Sequence, residues 1–93
     1  MMDAVDLVVT RQWEAVQRDA ISHWTVFDHP RDFPDIFVAR RCEVTRDNPD
    51  PVATDDIIGA LSLDDLRDCL SQAGLVALMR SEDDDPKIVE VWI

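Results

Sequence analysis

Two stretches of the chain carry side chains able to do chemistry. Asp28-His29, with His23 just upstream, sets a carboxylate beside an imidazole. That pairing suits general acid–base work, since histidine titrates near neutrality and a carboxylate can orient it. No nucleophile stands at a recognised spacing beside them and Pro30 follows at once, so a turn in which Asp28 bonds the backbone is the plainer account. Arg40 and Arg41 fall in a strand-like run and therefore point to opposite sides. A guanidinium at the margin of a core can clamp a carboxylate or phosphate through two parallel hydrogen bonds. With twenty acids in the chain, an internal partner such as Glu90 or Asp28 competes for that role. Cys42 adjoins both arginines, but only Arg40 shares its side of a strand, and no base is evident to activate the thiol. Trp24 and Trp92 could floor a pocket or anchor a subunit contact; filling the core is the simpler use. The candidate binding residues are thus Trp24, Asp28, His29, Arg40, Arg41 and Trp92, none with an assigned catalytic role.

Other chemistries find little support. Cys42 and Cys69 stand apart, without C-x-x-C or histidine at ligand spacing, so neither a zinc site nor any other metal or cofactor is expected. Glu82 to Asp85 are four consecutive acids, but the alternating ligands and glycine of a calcium loop are missing. Phosphate-binding glycine loops, zincin and nucleophile-elbow patterns are absent, and two glycines could not cradle a phosphate.

Nine basic against twenty acidic residues leave a formal charge of −11. Residues 1–46 hold eight acids and six bases, for −2; residues 47–93 hold twelve acids and three bases, for −9. Such a surface repels nucleic acid and anionic membranes, and neither is expected as a partner. Charges at Asp3, Asp6, Arg11 and Glu14 interrupt any secretory leader, no apolar run is long enough to span a bilayer, and lone cysteines suit a reducing cytoplasm.

The elements that must position these residues can be read from periodicity. Residues 1–22 predict an amphipathic helical extension in which Val5, Val9, Trp13, Val16 and Ala20 recur at steps of three and four. Residues 23–93 predict one α+β domain. His23–Phe27 reads as a strand closed by the turn Asp28-His29-Pro30. Ile36–Arg46 reads as a longer strand, ended by the proline-broken loop Asp47–Pro51. Ile57–Leu61 is a short strand weakened by Gly59. Ser62 then caps a helix over 63–73, with Asp64 and Asp65 in its first turn and Gly74 where a left-handed cap is wanted. Leu75–Arg80 and Lys87–Ile93 predict a hairpin around Ser81–Pro86.

Reading each strand as two alternating sets separates Val89, Val91 and Ile93 from Ile88, Glu90 and Trp92, and Trp24 and Val26 from Thr25 and Phe27. Neither set is polar, whereas a half-solvated antiparallel sheet should alternate cleanly. The expected fold is a mostly antiparallel four- to five-stranded sheet. The capped helix covers one face, and the N-terminal helix or a second subunit covers the other.

The run Trp24-Thr25-Val26-Phe27-Asp28-His29-Pro30, followed by Phe33-Pro34-Asp35 and Phe37–Arg41, and the ending Asp84-Asp85-Pro86-Lys87-Ile88-Val89-Glu90-Val91-Trp92 resemble a family of small bacterial proteins. That family is marked by W-T-x-x-D-x-P near the start and D-D-P-x-I-V-E-V-W at the end, and has no established activity. The resemblance covers residues 23–93 and leaves residues 1–22 outside its pattern.

The residues thus favour a non-enzymatic interaction or accessory module that binds a protein partner or forms a homodimer. One alternative is a small ligand-binding domain or enzyme built on Asp28, His29, Arg40 and Arg41. Another is an acidic mimic occupying a basic surface.

Overall fold

A computed structural model describes residues 3–78 and 87–93. Its elements are α1 (Ala4–Gln17), β1 (Ile21–Asp28), β2 (Phe37–Val44), β3 (Val52–Ala60), α2 (Leu63–Gln72), β4 (Ala77–Leu78) and β5 (Ile88–Trp92). The five strands form one antiparallel sheet in the order β3-β2-β1-β5-β4, with β1 at its centre. This is the expected α+β class. β1, β2 and β3 form a meander; α2 then carries the chain from one sheet edge to the other, and β5 returns to the middle.

Local chemistry accounts for both helix ends of α2. The Ser62 hydroxyl accepts the Asp65 N–H at 3.1 Å, and acids at 64 and 65 sit at the positive end of the helix dipole. At the other end Gly74, with φ +90°, lets the Leu75 N–H reach the Leu70 carbonyl and its own N–H reach Ser71. This doubled hydrogen bond is the Schellman arrangement, and the accompanying contact joins Leu70 and Leu75, both buried in the core.

α1 ends the same way without glycine. Asp3 accepts the Asp6 N–H at 2.8 Å to start it. Asp19 then adopts φ 55°, and the Ala20 and Asp19 N–H groups reach back to Ala15 and Val16. Aspartate tolerates that left-handed backbone better than most residues. The helix is therefore shorter than the expected 1–22, and β1 begins at Ile21, inside the predicted helical stretch.

Two expectations about α1 are corrected. Its inward side is Val8 and Ala15 with Arg11 and Gln12 between them, while Val9, Trp13 (64% exposed) and Val16 face outward. Apolar periodicity missed this because the two polar residues between the anchors are half-buried with partners. Gln12 donates to the Ser22 carbonyl at 2.9 Å and accepts the Trp24 indole N–H at 3.1 Å. Nor does α1 cover the sheet face opposite α2. Val8 of α1 and Leu66 and Leu70 of α2 join one core with Trp24, Val26, Ala39, Ile58 and Trp92. Both helices lie on the same side, and α1 shares one core with the sheet that follows it.

β3 runs nine residues, against the five expected, because it pairs with β2 across an irregularity between Arg40 and Cys42 that absorbs Thr54–Asp56. The hairpin partners β4 and β5 pair as expected; Met79, Arg80 and the turn Ser81–Pro86, with its four acids, lie outside the described residues.

The two C-terminal caps make opposite predictions. Asp19→Gly should stabilise the protein by about 0.5–1 kcal/mol, because glycine adopts φ 55° without the Cβ penalty. Gly74→Ala should cost about 1 kcal/mol by imposing that penalty. At about 4–8 °C per kcal/mol for a domain of this size, thermal unfolding by circular dichroism resolves both signs.

Candidate functional site

The register assigns each strand residue to a side. Trp24 pairs with Arg41 and Trp92, Val26 with Ala39 and Glu90, Ser22 with Glu43, and Ala39 with Ile58; this is the side beneath the helices. His23 pairs with Cys42, Thr25 with Arg40 and Val91, Phe27 with Val38, and Val91 with Leu78; this is the helix-free side.

The charges are under the helices. Arg41, only 6% exposed, donates from Nε to Asp56 Oδ2 at 2.7 Å and from Nη1 to Glu43. Arg11 of α1 donates to the second Asp56 oxygen at 3.1 Å and also pairs with Glu14. Arg18, just past α1, binds Glu43. Three arginines and three carboxylates thus form one neutral chain that clips α1 onto β2 and β3. Across the sheet, Arg67 of α2 grips both Glu90 oxygens at 3.0 and 3.2 Å, and the Trp92 indole donates to the same carboxylate.

The electrostatics follow from these partners. Hydrogen bonds from Arg18 and Arg41 hold the Glu43 carboxyl down to about 2. Burial alone would raise Asp56 and Glu90, but the arginine hydrogen bonds outweigh it and hold both below the usual carboxylate range. Among the described residues, no buried side-chain nitrogen or oxygen lacks a partner.

The helix-free side is different in kind. At its β4–β5 end Val76, Leu78 and Ile93 are 65%, 47% and 46% exposed, and Val76 and Ile93 exchange backbone hydrogen bonds. His23, central on this side, is held neutral because burial lowers its pKa. At the β2–β3 end the loop after β1 folds back over the strands and leaves a cleft of ≈ 270 Å3. Phe27, Pro30, Asp32, Phe33, Val38, Arg40, Cys42 and Ala53 line it. Gly59 helps seat that loop, since a Cβ there would lie 2.7 Å from Ile36 Cδ1. Burial pushes the Cys42 thiol up, so it stays protonated at neutral pH.

The six residues singled out from sequence are dispersed by this arrangement. Trp24 and Trp92 are cross-strand neighbours in the core and floor no cleft. Arg41 is taken up by Asp56 and Glu43, not by Glu90 or Asp28. Asp28 and His29 bond each other at the exposed end of β1, where the His29 ring meets the edge of Phe37. Arg40 alone reaches the cleft, so Asp28, His29, Arg40 and Arg41 do not converge. Strand alternation correctly separates the two arginines; Phe33, Pro30 and Ala53 carry no local signal, because a loop and a distant strand bring them to the cleft.

No family model, curated protein or solved structure matches the chain. No described helix is long and apolar enough to cross a membrane.

Arg41→Met should destabilise the protein by about 3 kcal/mol, the low end of the cost of breaking a buried ion pair, because Asp56 keeps Arg11 and Glu43 keeps Arg18. The pH dependence has a definite sign. Glu43 is ordinary near 4.5 when unfolded and about 2 when folded, so its contribution is complete above pH 4.5 and is lost as pH falls toward 2. Urea titrations at pH 7 and pH 3 should show wild type losing stability across that window and Arg41→Met losing less.

Proposed function

We propose that the chain is a protein-interaction module that self-associates through the helix-free face of its sheet. The observation that carries this reading is the inverted placement of charge. Asp28, Glu43, Asp56 and Glu90, the strand carboxylates whose side is set by register or ion pairing, lie on the helix side. The open side presents Phe27, Val38, Ile57, Val91 and Leu78 beside His23, Thr25 and Cys42, with Arg40 as its one registered strand cation. In a chain of charge −11, a solvent-facing sheet surface would be expected to carry acids.

A second copy is the partner that this face suits. Two such surfaces can meet without bringing carboxylates together, and a two-fold contact asks only that one patch be complementary to itself. β1, β2 and β3 are eight or nine residues long, β5 five and β4 two, so at about 4.8 Å between strands the face covers roughly 400 Å2. That is half of the about 800 Å2 per subunit that stable dimers bury, and the surrounding rim supplies the rest. The acids on α2 and the loops stay in water. Cys42 and Cys69 are unpaired thiols, which supports a reducing, cytoplasmic setting. Kinship with the small bacterial family it resembles belongs to the same proposal.

Light scattering after size exclusion should give twice the 10.6 kDa chain mass for wild type. Leu78→Glu, on an exposed position that tolerates charge in the monomer, should give 10.6 kDa with an unchanged circular dichroism spectrum. Raising salt should tighten association of two acidic copies and would loosen capture by a basic partner. A monomeric wild type at about 100 μM, far above ordinary dimer dissociation constants, would remove this reading.

A further inference from the structure

We infer that the cleft beneath the β1–β2 loop binds a small amphiphile with an apolar body ending in a carboxylate. Its walls are Phe27, Phe33, Pro30 and Val38, aromatic and aliphatic groups that offer no hydrogen bond beyond the backbone. Arg40 supplies the positive charge. Arg11, Arg18, Arg41 and Arg67 each hold a carboxylate, yet no carboxylate lies within ion-pair distance of Arg40 among the described residues. In a chain with twenty acids, an arginine left open inside an apolar cleft is a group without its counter-ion.

The chemistry narrows the ligand. A planar guanidinium matches a carboxylate through two parallel hydrogen bonds. One cation neutralises one charge, so a phosphate dianion would leave a net negative charge against apolar walls on an acidic protein. Cys42 adds no second cation, and Asp32, exposed on the loop at the rim, is a carboxylate that disfavours further negative charge. The cleft's ≈ 270 Å3 suits about ten non-hydrogen atoms, a short fatty acid or an arylalkanoate.

Titration of 15N-labelled protein with octanoate and with 3-phenylpropionate tests this. Amides of Phe33, Val38 and Cys42 should shift saturably below about 10 mM, within reach of a ligand this small. Octanamide and 3-phenylpropionamide should bind at least about tenfold more weakly, and Arg40→Gln should impose a similar loss on the acids alone. Phe33→Ala, on the loop, should weaken acids and amides alike. Equal binding of acid and amide, indifference to Arg40→Gln in a folded spectrum, or no saturable shift would each overturn the inference. Because the cleft opens on the face proposed for self-association, the titrations are run on Leu78→Glu, with Arg40→Gln added to that background. Saturable, Arg40-dependent binding of the acids there supports the site whatever the oligomeric state of wild type, and its absence overturns the site without touching the dimer.

Discussion

Arg41 is the interaction on which the architecture turns. It sits on the second strand beside the central one, almost wholly buried, and only carboxylates on both sides make a guanidinium there tolerable. Asp56 and Glu43 provide them, and each in turn reaches an arginine from the α1 end of the chain, Arg11 and Arg18. The result is a neutral relay that sets where α1 must lie. Once α1 is held over β1 and β2, α2 has the remainder of the same surface to cross, and its Leu66 and Leu70 close the core with Val8 and Trp24.

That placement has a cost on the other side of the sheet. With both helices committed to one face, a single loop shelters the opposite one among the described residues. The loop hides Val38 and shapes the cleft at Arg40, but it stops short of Leu78, Val76 and Ile93. The unusual feature is that polar groups are spent under cover while apolar ones stand in the open. Water would favour the reverse in an isolated subunit, which is the ground for the self-association proposed above.

How much of this was legible depends on the range of the forces involved. α2 could be read from Ser62 to Gly74 because a capping hydroxyl, first-turn acids and a glycine at φ +90° act within a few residues of one another. Strand alternation was equally local, and it correctly placed Trp24 with Val26 and Val91 with Ile93. The register shift beside Phe27, however, sets Ile88 opposite Phe27 and packs Val89 against the core, the reverse of simple alternation. α1 was misread at its end and on its face. The left-handed cap at Asp19 goes with a hydrogen bond from buried Ala20 back to Ala15, and Gln12 turns inward to partners at Ser22 and Trp24. The length of β3 was hidden by a bulge that depends on its partner strand. Of the candidate site, Arg40 was visible as a strand arginine, whereas the walls of its cleft come from three separated segments.

By itself, then, the chain's order of residues determined the caps of α2, the two-sided apolar character of the strands and an acidic exterior, since each follows from neighbours or from counting. Tertiary structure alone decided that both helices share one face, that Arg41 is consumed while Arg40 is left open, and that the strand carboxylates placed by register lie beneath the helices. Alternation states which side chains travel together but not which side is covered. That choice rests on ion pairs spanning 15 to 45 residues, too distant in the chain for any local pattern to record.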